Sequence, residues 1–326
     1  MSTVVVVYDI EPGGRRIIEQ ALGGAAQAVY LTDLDDDARA DALRRAGAVL
    51  ARTTRELRAG EIVLLKDARL VQFINAGIDF VPLAEMPAGV LVATNGGAYA
   101  EPMAEHALAM ALAAAKRLLV EHAALERGEF NQFARNRMLA GGVCGILGFG
   151  GIGESMARLA RGIGMKVHAI NRRGRSDEPT DWIGTPDQLD ALLAASDVLV
   201  ICTPLTPATL GMIDAPQLAR MKEDAILVNV ARGEIVDERA LYERLVAFPN
   251  FCACIDAWWI EPIRHGTFRM DQPFMALPNV IGSPHNSAAA IAGTGAVGLR
   301  RAIANIRRAL DGETPLYLVP PEDRMM

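Results

Sequence analysis

The chain has 326 residues, of which 51% are apolar and 22% charged, with a formal net charge of −6. This length allows two ordinary domains or one very large one, and the apolar fraction is enough to fill real cores. A net negative charge excludes a broad nucleic-acid surface, because phosphate contacts need clustered Lys and Arg. No apolar run approaches the ~18 residues of a membrane span.

The N-terminus, Met1-Ser2-Thr3-Val4-Val5-Val6-Val7-Tyr8, has no basic leader or cleavage site and reads as a first strand. Apolar runs at 4–8, 28–31, 48–51, 70–74 and 90–93 alternate with helical patterns, which predicts a parallel sheet wrapped by helices. Asp33, Asp35, Asp36 and Asp37 precede a helical segment, where capping and the helix dipole account for them better than metal binding does. Asn75-Ala76-Gly77-Ile78-Asp79 follows a strand directly. It is either a ligand-binding backbone at a sheet's C-terminal edge or an ordinary strand-to-helix turn.

A single long helix rich in Ala and Leu is expected from Glu101-Pro102 to about residue 127, apolar on nearly all sides and therefore buried between two domains. His106 beside Glu105 reads as a satisfied buried pair. Residues 128–142 form a polar connector carrying Phe130 and Phe133.

Next, Val143-Cys144-Gly145-Ile146-Leu147 runs into Gly148-Phe149-Gly150-Gly151-Ile152-Gly153, the spacing G-x-G-x-x-G, and a helical segment follows. Gly148 permits the tight turn, Gly150 lets the backbone approach a pyrophosphate, and Gly153 lets the helix pack on the sheet. The helix start offers free N–H groups and a positive dipole end to phosphates. Strands are expected at 143–147, 166–170, 197–202, 225–230, 251–255 and 279–282, a full doubly wound dinucleotide domain. From Ser287 the chain turns helical to about residue 310 and returns to the first domain. There Arg300, Arg301, Arg307 and Arg308 form a solvated face. Cys144, Cys202, Cys252 and Cys254 all lie in strand-like runs without a C-x-x-C pair, so they read as core residues of a reduced, cytoplasmic protein rather than as metal ligands.

In the NAD form of this fold a carboxylate about 20 residues past the glycines meets the adenosine ribose. Here the second strand ends in Ile170 and continues Asn171-Arg172-Arg173-Gly174-Arg175. Guanidinium groups pair with a 2′-phosphate that a carboxylate would repel, so NADP(H) is the expected cofactor, with NAD(H) possible. Three strand ends then supply chemistry: Arg232 in Asn229-Val230-Ala231-Arg232-Gly233, Asp256 and Glu261 in Asp256-Ala257-Trp258-Trp259-Ile260-Glu261-Pro262, and His285 in Ser283-Pro284-His285. Reduction of a 2-oxo acid needs its carboxylate clamped, which the planar fork of Arg232 can do, and a proton delivered, which His285 paired with Glu261 can do. A serine hydrolase would need a G-x-S-x-G elbow, which is missing.

With Thr203-Pro204-Leu205-Thr206-Pro207 added to these motifs, nearly the whole chain resembles the D-2-hydroxyacid dehydrogenase family, which includes glyoxylate/hydroxypyruvate reductases and phosphoglycerate dehydrogenases. The resemblance implies two doubly wound α/β domains. A Rossmann-type dinucleotide domain (100–286) is inserted in a smaller flavodoxin-like substrate domain (1–99 and 287–326). It further implies Arg232, Glu261 and His285 as catalytic residues, with Arg232 and His285 also touching substrate. Gly151-Ile152 would meet the pyrophosphate, Asp256 the nicotinamide carboxamide, and Thr203, Pro204, Val230 and Ala231 would be further cofactor contacts. The backbone of Ala76 and Gly77 would take the carboxylate of a small 2-oxo or 2-hydroxy acid, and a homodimer would pair through the nucleotide domain. Trp258-Trp259 stands where many members carry smaller or single aromatic residues, which marks a change in the pocket or the Glu261 loop. The rival reading is a nucleotide-sensing, corepressor-like binding protein of the same fold.

Overall fold

Val4, Val5, Val6 and Val7 are all buried, so the strand they form must be covered on both faces, as strands of parallel sheets are. A computed structural model describes residues 2–79, 81–289 and 294–324. The chain divides into two units, Met1–Tyr99 with Ile291–Met326, and Ala100–Ala290.

In the first unit β1 (Ser2–Val6), β2 (Ala26–Tyr30), β3 (Ala48–Ala51), β4 (Leu70–Phe73) and β5 (Leu91–Ala93) pair in the order β2-β1-β3-β4-β5, every pair parallel. Side-chain alternation splits the core in two. Val4, Val6 and Tyr8 pack with Ile18 and Leu22 of α1 (Pro12–Leu22) and with Leu299, Ile303 and Ile306 of the C-terminal helix, Thr294–Leu310. Val5, Val7, Val49 and Phe73 pack on the other face with Leu31, Leu65 and Leu43, the last from α2 (Asp36–Arg44). Each such side chain contributes about 1.5–3 kcal/mol by leaving water. Asp35 caps α2, accepting the Ala38 N–H at 2.9 Å as the acidic run predicts.

The second unit holds α3 (Ala100–Ala115), α4 (Leu118–Glu126), β6 (Val143–Leu147), α5 (Gly151–Gly162), β7 (Lys166–Ile170), β8 (Trp182–Gly184), α6 (Leu189–Ala195), β9 (Val198–Ile201), α7 (Ala215–Arg220), β10 (Ile226–Asn229), α8 (Glu238–Ala247), β11 (Cys252–Ile255), α9 (Pro262–His265) and β12 (Val280–Gly282). Its strands form a parallel sheet in the order β12-β11-β10-β9-β6-β7-β8. The order reverses at β6, so the crevice where ligands bind in such sheets opens beyond the ends of β6 and β9. The sheet has seven strands rather than the six expected. The addition is β8, a three-residue edge strand paired to β7 through His168, Ala169 and Ile170.

The long helix expected from residue 101 to 127 is instead two. Arg117 takes a left-handed conformation (φ 55°) between α3 and α4. The connector supports the break: Arg137 N–H donates to the Ala115 carbonyl at 2.8 Å, and Lys116 Nζ donates to the Arg137 carbonyl at 2.8 Å. Met103, Ala104, Ala107, Met110 and Ala111 of α3 are buried, whereas α4 buries no residue, contrary to the expectation for the whole stretch. No helix among the described residues is long and apolar enough to cross a membrane.

Candidate active site

The turn from β6 into α5 has the geometry its glycines require. Gly148 has φ +100°, and a Cβ there would lie 2.5 Å from the Thr203 amide nitrogen at the end of β9. A Cβ on Gly153 would lie 2.4 Å from the Gly148 carbonyl oxygen, so α5 starts directly on the turn. Gly150, by contrast, is exposed with no atom within 4 Å of its Cβ position. It is the N-cap of α5, and no side chain caps the helix. The amides of Gly151, Ile152 and Gly153 therefore begin a helix whose first N–H groups have no intrahelical acceptor, beneath open space that suits a pyrophosphate. Around this turn Thr203 is half-buried, Pro204 exposed, and Val230 and Ala231 buried.

At the end of β7 the Asn171 side chain is spent on its own turn. Its Oδ1 accepts the Arg173 N–H at 2.9 Å and its Nδ2 donates to the Arg175 carbonyl at 3.0 Å. Arg172 and Arg173 are exposed on that turn. Two guanidinium groups thus stand where a ribose-binding carboxylate would be.

Arg232, Asp256, Glu261 and His285 all belong to the second unit, following β10, β11 and β12. His285 Nδ1 lies 2.8 Å from both Oε1 and Oε2 of Glu261. Glu261 is 7% exposed, and its Oε1 also accepts the Trp258 N–H at 2.7 Å. Burial alone would push its carboxyl up. Hydrogen bonds from His285 and Trp258 and the positive charge of Arg232 outweigh burial and hold it below the ordinary carboxylate range. Arg232 is half-buried, and one of its Nη atoms donates to the Ala231 carbonyl at 2.7 Å. Its loop is fixed by Asn229, which accepts the Ala231 N–H and donates to the Arg232 carbonyl. Gly233 is required next to it, because a Cβ there would lie 2.5 Å from the backbone joining Trp258 to Trp259.

Asp256 is fully buried (0% exposed). Its carboxylate accepts from Ser283 Oγ at 2.6 Å, Asn286 N–H at 3.1 Å and Ser287 N–H at 3.3 Å, while its carbonyl takes the His285 N–H at 3.0 Å. These bonds gather the 283–287 loop around one carboxylate and hold His285 at φ 50°, a conformation costly for a non-glycine residue. Burial raises the Asp256 carboxyl, but the Ser283 and Ser287 bonds and two nearby imidazoles bring it below its ordinary value. One of these is His106, whose Nε2 lies 2.9 Å from Ser283 Oγ and 3.7 Å from Asp256. His106 thus faces Ser283, while Glu105 is exposed and not its partner.

Trp258 is a core residue and Trp259, partly buried, packs against the same core. Trp258 is buried and donates its indole N–H to the Ser283 carbonyl at 2.8 Å, and Trp259 stacks on Phe274 and donates to the Val236 carbonyl. The pair braces the Glu261 loop. In the other unit, Ala76 and Gly77 lie half-buried just past β4, beside Asn75, whose carbonyl accepts the Asn95 N–H and whose side chain donates to the Arg52 carbonyl.

The family model described as "D-isomer specific 2-hydroxyacid dehydrogenase, NAD binding domain" matches residues 108–287. A hydroxypyruvate reductase of Thermotoga maritima is 30% identical over 74% of this chain and 77% of its own length. A D-3-phosphoglycerate dehydrogenase of Archaeoglobus fulgidus is 32% identical over 74% of this chain, which covers 45% of that longer protein. Among solved structures, a D-isomer specific 2-hydroxyacid dehydrogenase from Xanthobacter autotrophicus Py2, in complex with NADPH and MES, is 25% identical with a TM-score of 0.79, covering 99% of both chains.

Proposed function

This chain belongs to the D-isomer specific 2-hydroxyacid dehydrogenase family of oxidoreductases acting on CH–OH groups, and we propose that it reduces small 2-oxo acids and oxidises the matching D-2-hydroxy acids, with NADP(H) preferred. The His285–Glu261 pair, with Nδ1 at 2.8 Å from both carboxylate oxygens, carries this reading. That geometry commits Nδ1 to the buried carboxylate and leaves Nε2 to exchange a proton with substrate.

Gly148, Gly150, Gly151, Ile152 and Gly153 hold the dinucleotide by backbone, with Thr203, Pro204, Val230 and Ala231 around it. The dinucleotide, when bound, supplies the hydride equivalent. Arg232 holds the substrate carboxylate and polarises the carbonyl, and His285 Nε2 gives its proton to the carbonyl oxygen. Glu261 keeps that imidazole oriented, with Nδ1 turned to the carboxylate. Asp256 serves the nicotinamide end, where its carboxylate holds the loop that carries His285. Ala76 and Gly77, on the backbone just past β4, remain the substrate contacts that the family resemblance implies.

Arg172 and Arg173 are the reason for preferring NADP(H), and the NADPH complex of the Xanthobacter relative agrees with that choice. Leu118, Leu119, Leu125, Phe130, Phe133 and Met138 are all exposed in one stretch, Phe133 at 83%. We assign this apolar run to a homodimer contact of the nucleotide unit, since patches of this kind mark interaction sites. The cysteines are all unpaired, which fits the reducing cytoplasm.

The test is consumption of NADPH and NADH with glyoxylate, hydroxypyruvate, pyruvate and bulkier 2-oxo acids. Turnover with at least one small 2-oxo acid, faster with NADPH, is the expected result. Nucleotide binding without turnover on any of them would leave a binding protein instead.

A further inference from the structure

Glu261 stands at the N-cap of α9, yet its side chain does not cap that helix. The carboxylate is directed to His285 and to the Trp258 N–H. The backbone N–H of Glu261 is received instead by His265 Nδ1, one turn on, at 3.0 Å, and the His265 N–H returns to the Glu261 carbonyl at 2.8 Å. A four-residue helix has no propagated ladder to hold its first residue. These two bonds therefore set the orientation of the Glu261 backbone, and through it the direction of the carboxylate. Gly266, in a left-handed conformation (φ 75°), closes the turn behind His265 with its N–H on the Pro262 carbonyl at 2.8 Å.

We propose that His265 is a positioning residue for the Glu261–His285 pair, holding Glu261 through a hydrogen bond that exists only while the His265 imidazole is neutral. The assignment rests on the reductase reading above. Nδ1 accepts a proton bond only when unprotonated; the imidazolium has N–H at both nitrogens and would set one against the Glu261 N–H. His265 is exposed, so solvent reaches its ring. The charged neighbours of this turn are Glu261 and Arg264 on its own helix, Glu234 and Arg232 on the clamp loop, Arg269 and Asp271 on the segment bridged to Ile260, and His285 beyond Glu261. Arg264 is taken by Glu234 at 2.6 Å and Arg269 by Asp271 at 2.7 Å. The site then contains two imidazoles with opposite requirements: His285 charged to donate its proton, His265 neutral to hold Glu261.

The experiment compares the whole wild-type chain with His265→Asn and His265→Ala in 2-oxo acid reduction from pH 5 to pH 9, with dinucleotide affinity measured alongside. Asn places Oδ1 where Nδ1 stood and accepts at every pH. Wild-type kcat should fall on both the acid and the alkaline side. His265→Asn should stay within about twofold of wild type at neutrality and lose the acid-side fall while keeping the alkaline one. His265→Ala should lose about five- to tenfold in kcat across the range, the worth of one hydrogen bond, with dinucleotide affinity unchanged. Nitrogen-15 spectra of the wild-type imidazoles should show His265 as the neutral Nε2–H tautomer. An identical acid limb in all three proteins, or a His265 tautomer protonated at Nδ1, overturns the assignment alone. Failure of the wild type to reduce any 2-oxo acid overturns the reductase reading and this role with it.

Discussion

The two units share one architecture, a parallel sheet with helices on both faces, but spend their buried charges differently. In the first, Arg39 of α2 grips Glu61 with two bonds, Nε–Oε1 at 3.0 Å and Nη2–Oε2 at 2.9 Å, and donates a third to the Leu31 carbonyl. Both partners are buried, and the pair fastens a helix to the loops beside it. In the second unit the buried carboxylates Asp256 and Glu261 sit on loops at strand ends, and what they hold is His285. A buried carboxylate facing a guanidinium that never gives up its proton is a fastener. The same group facing an imidazole, past the end of a strand, has a partner that can take up and release a proton, as the role proposed for His285 requires.

Removing the central partner on each side separates the two uses. His285→Ala should lower kcat by about 10²- to 10⁴-fold, the usual worth of a positioned acid–base group, with dinucleotide affinity nearly intact. Near-wild-type turnover in that variant would remove His285 from the chemistry. Arg39→Ala should act in the opposite sense, destabilising the chain by about 3–5 kcal/mol because a buried carboxylate loses its partner. Urea unfolding would report that loss, with kcat per folded molecule unchanged; a lowered kcat with full stability would erase the contrast.

The cofactor turn gives a smaller effect. Asn171→Asp together with Arg172→Ala should move the NADPH-to-NADH preference in kcat/KM by about tenfold or more toward NADH, the size of one lost charge-assisted contact plus a new repulsion. An unchanged ratio would make these arginines solvated surface charges. The smallest is an acid effect on stability. Glu61, Asp256 and Glu261 all have carboxyls held below their ordinary values. A depressed folded-state value gives stability that is complete above the unfolded range, roughly pH 4, and lost as pH falls through the depressed values. Thermal unfolding should therefore be level from pH 6 to 8 and drop below about pH 4. Asp256→Asn should flatten part of that drop, and an unchanged slope would show that its partners do not stabilise the charged form.

How much of this could be read in advance depended on whether the signal was local. Buried parallel strands are continuous apolar runs, so Val4–Val7 and Val198–Ile201 announce themselves. The glycine turn declares its geometry in its spacing. β8 escaped because three residues, Trp182-Ile183-Gly184, at a sheet edge after a polar stretch leave no period to count. The break at Arg117 escaped because its support comes from Arg137, and composition within the helix does not register a partner from the connector. Within the site, Arg232, Glu261 and His285 were legible as residue types at strand ends. Ser283, His106 and His265 were not. Ser283 stands two residues before His285, and that adjacency was the available hint; the other two depend on packing that only coordinates supply. Trp258-Trp259 stood out in the sequence, but its role as a brace behind Glu261 rests on contacts with Ser283, Val236 and Phe274.

The central claim is a proton-donating imidazole acting with a guanidinium clamp on one face of a 2-oxo acid, and product handedness tests it most directly. With the full chain, NADP⁺ and separate D- and L-glycerate and D- and L-lactate, reduced nucleotide should form from a D-isomer and not from its mirror image. Formation from the L-isomer, or equal rates with both, would contradict the account.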